Sequence, residues 1–257
     1  MKLPRTLHIE GSRLLPGETD PEAIQFNKLR GEFLVIEEKV DATGVSISLD
    51  NHLNIQVMHR GHPAIGKEFS ELFLWAENHW EDLLFLLGER YIMFGEWAHN
   101  KHTIFYDKLP HHFLESDIYD KNREIWLSTS ARNDLLKGSR FIKQVPMIAA
   151  FKPSSLEQIT GLVGKTIYQS DQWKNTLRSK CAMMGANLDK VMSETDQTGL
   201  MEGLYIKHED DLQVLNRYKY VRYEFLQNIL KSGTHLMDRL PIYNSLAGDH
   251  YNQPIGD

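Results

Sequence analysis

Glu38-Lys39-Val40-Asp41-Ala42-Thr43-Gly44 is the stretch on which the reading of this chain turns. It closes Phe33–Lys39 (FLVIEEK), an apolar run that becomes charged, as a buried strand does where it reaches the rim of a sheet. Small residues follow the lysine. A turn built from them leaves room for a phosphate while the strand end presents the amine to a pocket. A neutral lysine amine is a good nucleophile, and desolvation or nearby cations lower its pKa.

Outward from this stretch the β signals continue. Val45–Leu49 (VSISL) alternates strictly, Asp50-Asn51 is turn chemistry, and Leu53–Met58 (LNIQVM) alternates again, so a hairpin is expected. Phe69, Leu72, Phe73, Ala76, Trp80, Leu83, Leu84 and Leu87 form one apolar stripe, which predicts a helix over 69–87 with Gly88 as its C-cap. Strands are expected at Tyr91–Trp97, Thr103–Tyr106, Phe113–Tyr119, Glu124–Leu127, Leu204–Lys207 and Gln213–Val221. Helices are expected at Ser155–Val163, at about Asp171–Met192 and at Glu224–Lys231. Upstream, Pro4, Pro16 and Pro21 with Gly11 and Gly17 read as an extended arm. No regular βαβ rhythm appears, so the fold class is α+β, with antiparallel sheets and inserted helices.

Composition narrows the function. A hydrophobic content of 41% and a charged content of 25% over 257 residues fit an ordinary globular chain. No apolar run approaches the roughly 20 residues that span a bilayer, and MKLPRTLHIEGSR lacks the apolar centre of a signal peptide. The lone Cys181 cannot form an intramolecular disulfide and reads as a small buried hydrophobe, so a cytoplasmic location is expected. A formal charge of -6 excludes a general nucleic-acid coat protein but leaves room for a local basic groove, to which Arg217, Lys219 and Arg222 are candidates. The pairs His99/His102 and His111/His112 lack a Cys or carboxylate at fixed metal-ligand spacing. Gly161-Leu162-Val163-Gly164-Lys165-Thr166 misses the first P-loop glycine, since Ile159 stands there, and Gly164 reads as a helix cap. His208-Glu209-Asp210-Asp211 reads as a turn between strands.

Further motifs follow Lys39 in order. Arg60 ends the hairpin in His59-Arg60-Gly61, and Glu96 closes Phe94-Gly95-Glu96-Trp97. Phe113 opens Phe113-Leu114-Glu115-Ser116-Asp117-Ile118, and Glu202 opens Glu202-Gly203-Leu204-Tyr205-Ile206-Lys207. Arg217-Tyr218-Lys219-Tyr220-Val221-Arg222 completes the series. From about residue 33 to 222 this order resembles the covalent nucleotidyltransferase superfamily of ATP-dependent ligases and mRNA capping enzymes. Its members carry a K-x-D-G nucleophile, an arginine, an F-G-E-like strand, an aromatic strand, an E-G-x-x-x-K strand and a final basic strand. Within it the chain is most similar to RNA ligases of the bacteriophage T4 RNA ligase 2 type. Ala42 departs from the pattern, which has glycine there, and this weakens a DNA ligase reading more than an RNA ligase reading.

The resemblance implies one nucleotidyltransferase domain over 1–257, with a helical insertion at about 154–200 and a short tail over 223–257. About 35 residues after Arg222 are too few for an OB-fold. It implies Lys39 as the nucleophile toward ATP, with Mg²⁺ or Mn²⁺ on Glu202, since hard cations take carboxylate oxygens. Phe113 would stack on adenine, Arg60 and Glu96 would bind ribose or phosphate, and Glu38 would contact adenine or a metal-bound water. Arg217 and Lys219 would grip the α-phosphate, in a register the pattern leaves open. The implied partner is RNA with 5′-phosphate and 3′-hydroxyl ends, in RNA repair, with a partner domain or repair protein adding contacts. The alternatives are a capping-type guanylyltransferase and a catalytically inactive nucleic-acid-binding module.

Overall fold

The computed structural model describes residues 1–13, 23–233 and 239–249. Pro16, Gly17 and Pro21 of the expected arm, and the end of the expected tail, lie outside the described residues. In chain order the strands are β1 (Leu7–His8), β2 (Leu34–Lys39), β3 (Thr43–Leu49), β4 (Ile55–His59), β5 (His62–Pro63), β6 (Tyr91–Trp97), β7 (Phe113–Asp120), β8 (Ile125–Trp126), β9 (Lys143–Gln144), β10 (Met147–Phe151), β11 (Gly203–Glu209) and β12 (Val214–Val221). The helices are α1 (Ser70–Asn78), α2 (Trp80–Leu87), α3 (Thr129–Leu136), α4 (Leu156–Thr160), α5 (Trp173–Met184), α6 (Leu188–Ser193) and α7 (Tyr223–Ser232).

Two sheets, antiparallel but for an edge pairing in each, carry the fold, which is α+β with flanking helices. The first has the order β1-β12-β11-β2-β10, and the second β5-β4-β3-β6-β7-β8, with β9 beside β7. β1 joins β12 in parallel, as β9 joins β7. β2 lies between β10 and β11 with both faces covered, which is why it reads as a continuous apolar run rather than an alternation. One face of the first sheet packs Leu34, Ile36, Leu204 and Ile206 with Ile9 and Ile159. The second sheet buries Val45, Ile47, Met93 and Phe113 against Leu72, Ala76 and Leu83 of α1 and α2. Helices α4–α6 fall between β10 and β11 in the chain.

Four local expectations are corrected. The helix over 69–87 is two helices broken at His79, whose backbone leaves the helical region (φ −112°, ψ 24°) and whose ring nitrogen bonds the Trp75 carbonyl. Thr103–Tyr106 is a buried loop rather than a strand. Three of its amides bond side chains: Thr103 and Ile104 N–H donate to Asp41 Oδ2 (2.7 Å each) and Tyr106 N–H to Asn244 Oδ1 (2.8 Å). The helix expected over 171–192 divides at Gly185, which caps α5 in the left-handed conformation (φ 62°). Gly164 is not the cap; Gly161 caps α4, and the Gly164 carbonyl instead accepts from Met201 N–H. In the His208–Asp211 stretch, Glu209 ends β11 and accepts from Thr129 N–H at the start of α3, while Asp210 closes the turn. Cys181 is buried in a small cluster with Trp173 and Leu177. No helix among the described residues is long and apolar enough to cross a membrane.

Candidate functional site

Side chains alternate across a strand, and cross-strand register extends that alternation over a sheet. Lys39, Glu37 and Val35 of β2 stand opposite Gly203, Tyr205 and Lys207 of β11, which stand opposite Val221, Lys219 and Arg217 of β12. One face of the first sheet therefore collects Glu37, Lys39, Tyr205, Lys207, Arg217 and Lys219. Facing it is the second sheet, with Glu96 on β6 and Glu115, Ser116 and Asp117 on β7. A cavity of about 730 Å³ opens between them. Glu38, Lys39 and Val40, with Tyr205 and Lys219, line it from the first sheet; Arg60, Glu96 and Ser116 line it from the second. Val145 and residues 2–6 close its remaining sides. The volume is within the usual range for small-molecule sites, ~300–1,000 Å³.

Lys39 is the centre of charge in this cavity. Its ammonium lies 2.8 Å from Glu202 Oε1, with the two side chains 28% and 10% exposed. Burial pushes the Lys39 pKa down, but Glu202, Glu96 and Asp41 together outweigh it and hold the amine above its ordinary value. Glu202 is raised chiefly by burial, against the attraction of Lys39. Burial raises Glu96 to about 8 and Glu38 to about 7. Glu38 accepts a hydrogen bond from Thr166 Oγ1 (2.5 Å). No three His, Cys, Asp or Glu side chains among the described residues converge as a ready-made metal cage. Glu202 beside Lys39, with Glu96 nearby, instead suits a cation held by few carboxylates and completed by substrate phosphate and water, which is how Mg²⁺ is commonly bound.

Two glycines of the motifs have steric reasons. A Cβ on Gly203 would lie 1.9 Å from the Tyr220 carbonyl oxygen, so the residue after Glu202 must be glycine for β11 and β12 to approach. A Cβ on Gly95 would lie 2.3 Å from the Leu114 carbonyl and 2.7 Å from the Phe113 ring. Arg60 sits in the left-handed region (φ 50°) and is followed by Gly61 (φ 85°), the backbone of a tight β4–β5 hairpin turn that aims Arg60 at the cavity.

The structure brings Glu38, Lys39, Arg60, Glu96 and Lys219 around one cavity, with Glu202 paired to Lys39. It does not bring Phe113, Arg217 or Arg222 to it. Phe113 is fully enclosed in the second sheet's core against Trp75, 5.6 Å between rings, so the expected stacking surface is turned away; β7 offers Ser116 instead. Arg217 donates to Asp117 Oδ1 (2.8 Å) and lies over the Trp126 ring. Arg222 is buried, donating to Asp196 (2.5 Å) and to the Met201 carbonyl (2.7 Å).

Other residues of the site carried no expected role. Asp41 holds the turn after Lys39 through the Thr103 and Ile104 amides and His102, and these bonds keep its carboxyl below the ordinary range although burial opposes them. With Tyr106 Oη accepting from Asp41 N–H, this fixes the turn despite Ala42 in the glycine position. Lys207, wholly buried, donates to Glu37 (3.0 Å) and the Ser116 carbonyl (2.5 Å). Arg132 of α3 donates to Glu37 (2.9 Å) and lies 3.3 Å from Glu115. For Glu37 and Lys207 the signal was present but indirect, as charged residues within runs that read as buried strand, whereas Arg132 lies on a helix that no apolar pattern announced.

Comparison with known proteins bears on the family and the fold. The model of the RNA ligase family matches residues 32–221. No curated protein sequence matches the chain. Among solved structures, a Naegleria gruberi RNA ligase mutant with ATP and manganese is similar over 79% of this chain and 53% of its own, at 17% identity and TM-score 0.53. A mutant of the same ligase with AMP and manganese is similar over 88% of this chain and 57% of its own, at 16% identity and TM-score 0.56. The form with pyrophosphate matches over 86% and 60%, at 18% identity and TM-score 0.52. The chain thus spans between half and two-thirds of the length of these solved structures, with which it shares a fold.

Proposed function

The chain belongs to the RNA ligase family, and from that premise we propose that it is an ATP-dependent ligase that joins RNA 5′-phosphate and 3′-hydroxyl ends through a lysyl-AMP intermediate on Lys39. One observation carries the reading: a strand-end lysine enters a cavity between two sheets, paired to Glu202 at 2.8 Å and accompanied by Lys219.

In the first step Lys39, held as an ammonium beside Glu202 before ATP binds, gives up a proton to solvent, and its neutral amine attacks the α-phosphorus of ATP. An N–P bond forms, and the bond to the pyrophosphate oxygen breaks. In the second, an oxygen of the RNA 5′-phosphate attacks the same phosphorus, and the N–P bond returns its electrons to Lys39. In the third, the 3′-hydroxyl attacks the activated 5′-phosphorus, and AMP leaves. Lys219, which lines the cavity, would stabilise charge at the α-phosphate. Glu96 and Arg60 offer an acceptor and a donor to ribose hydroxyls and phosphate. Mg²⁺ or Mn²⁺ on Glu202 would offset phosphate charge and loosen the Lys39 ion pair. The manganese and the nucleotides bound by the Naegleria ligase support this assignment. A role in RNA repair, alone or with a partner protein, and a cytoplasmic location suited to the single cysteine belong to the same proposal.

Mass spectrometry after incubation with ATP and Mg²⁺ or Mn²⁺ tests it. The mass of one AMP should appear on Lys39 and vanish in Lys39→Ala. An adduct on another lysine, or one formed from GTP in preference, would replace this reading by a different transferase. Matched all-RNA, all-DNA and mixed nicked duplexes then test the polymer. Sealing should require RNA at the 3′-hydroxyl side, where 2′-hydroxyls and A-form shape distinguish the strands.

A further inference from the structure

The cavity has a wall that the motifs do not account for. β1 pairs with β12 in parallel, Leu7 beside Tyr218 and His8 beside Lys219, and Ile9 N–H donates to the Lys219 carbonyl (3.0 Å). This anchors the chain next to the cavity's own lysine. From the anchor, residues 2–6 run along the cavity and reach the other sheet, where the Lys2 side chain lies 3.3 Å from the position of a Cβ on Gly61, beside Arg60. The segment is a strap between the sheets, and it brings Lys2 and Arg5 to the cavity.

The lining carries both charges. Glu38 and Glu96 supply acceptors for the hydroxyls and amino group of a nucleoside. The cationic lining residues are Lys2, Arg5, Lys39, Arg60 and Lys219. Lys39 must meet the α-phosphorus, and Lys219 acts close by, since both bear on Glu202. The cations left for the rest of a triphosphate are Arg60 on its turn and Lys2 and Arg5 on the strap. In-line displacement sends the leaving group away from the attacking amine, so a second cluster of cations beyond the α-phosphate is what departing pyrophosphate requires.

We propose that the strap of residues 2–6 forms the β,γ-phosphate subsite of this cavity, with Lys2 and Arg5 binding the pyrophosphate part of ATP. This rests on the ligase reading above. As the Lys39 N–P bond forms and the α-phosphorus–oxygen bond breaks, the electron pair leaves with pyrophosphate, whose added charge the two cations take up. Acting on that part alone, they bear on the step that uses ATP and on its reversal, in which pyrophosphate attacks lysyl-AMP and regenerates ATP.

The test uses the full chain, the double variant Lys2→Gln with Arg5→Gln, and the charge-preserving pair Lys2→Arg with Arg5→Lys. Three quantities are read: lysyl-AMP formation against ATP concentration, removal of AMP from the purified adduct by inorganic pyrophosphate, and sealing of a chemically pre-adenylylated RNA nick. The glutamine variant should weaken apparent affinity for ATP and for pyrophosphate by the same factor, roughly tenfold or more for loss of charge-assisted contacts. The charge-preserving pair should recover most of it, and the sealing rate should change far less. Equal ATP and pyrophosphate affinities in the glutamine variant and the unaltered chain would overturn the subsite. So would the inverse pattern, with sealing impaired and ATP affinity kept, because the strap would then serve the RNA phosphate. Failure of the unaltered chain to take up AMP from ATP would overturn the ligase reading itself, and the subsite with it.

Discussion

Replacing Glu38 with glutamine should stabilise the protein at pH 8 and change it far less at pH 5. Glu38 is 2% exposed. Burial is the largest influence on its carboxyl and raises it from 4.5 to about 7, against hydrogen bonds from Thr166 and the Ile167 backbone that favour the charged form. In the unfolded chain the group ionises near 4.5, so the native state binds the proton more tightly. The stability this group contributes is complete below 4.5 and is lost as pH rises through about 7. The gap from 4.5 to about 7, at about 1.36 kcal/mol per pH unit, amounts to about 3 kcal/mol lost at alkaline pH. Most of that loss falls between pH 5 and pH 8. Glutamine keeps an oxygen to accept from Thr166 Oγ1 (2.5 Å in the native chain) and never ionises, so it avoids the loss. The assay is urea unfolding of both proteins at pH 5 and pH 8. Glu96 and Glu115, also raised by burial, stay in both and cancel in the difference. Curves for the variant that fall with pH as steeply as those of the native protein would refute the reasoning and remove Glu38 as a buried, proton-holding carboxyl.

Glu202→Gln should slow lysyl-AMP formation by roughly 100-fold, as loss of a preorganised charge at the reacting phosphate does. Its residual rate should rise at lower pH than in the native chain, because the first of the carboxylates that raise Lys39 is gone; a pH–rate profile of adduct formation decides. Lys219→Met should also cost roughly 100-fold in adduct formation while leaving the urea midpoint in place. Arg217→Met should instead destabilise the fold by about 3–5 kcal/mol, since it leaves Asp117 buried without its 2.8 Å partner; reversed phenotypes would exchange the two assignments. Phe113→Leu should lower stability by roughly 1–3 kcal/mol without altering the ATP dependence of adduct formation, measured by titration.

Much of this architecture was legible because local and tertiary forces agree in it. β2, β3, β6, β7, β11 and β12 fall where runs and alternation place them, and these strands carry Lys39, Glu96, Ser116, Tyr205 and Lys219. What was not legible is held by side chains acting on backbone at long range. Thr103–Tyr106 has a strand's composition, yet its amides bond Asp41 and Asn244, residues far away in the chain. α3 lacks an apolar stripe; it is started by Ser128 accepting from Ala131 N–H and by Glu209 at the end of β11, and it is kept in place by Arg132 in the buried ion network. The ring of Phe113 could not be oriented from sequence. Its direction follows from the irregular register between β6 and β7 at Gly95 and from the space that glycine leaves.

The same limit explains Arg217 and Lys219, which share a face and a charge yet meet different surroundings. Alternation cannot separate residues two apart on one strand. Position along the strand does. Arg217 stands opposite Lys207, deep between the sheets, where Asp117 of β7 meets it. Lys219 stands opposite Tyr205, one alternation nearer the end of β2 at which Lys39 sits. The deep layer holds Glu37, Glu115 and Asp117 against Arg132, Lys207 and Arg217. Such a layer costs desolvation that apolar packing would avoid, so its presence is not explained by stability. Apolar side chains between two sheets tolerate sliding, whereas a buried carboxylate must keep its own cation at hydrogen-bond distance. The layer thereby fixes β7 against β2, β11 and β12. That registry sets Glu96, on one sheet, at the distance from which it still bears on Lys39 on the other, and so it defines the cavity in which the two are proposed to work.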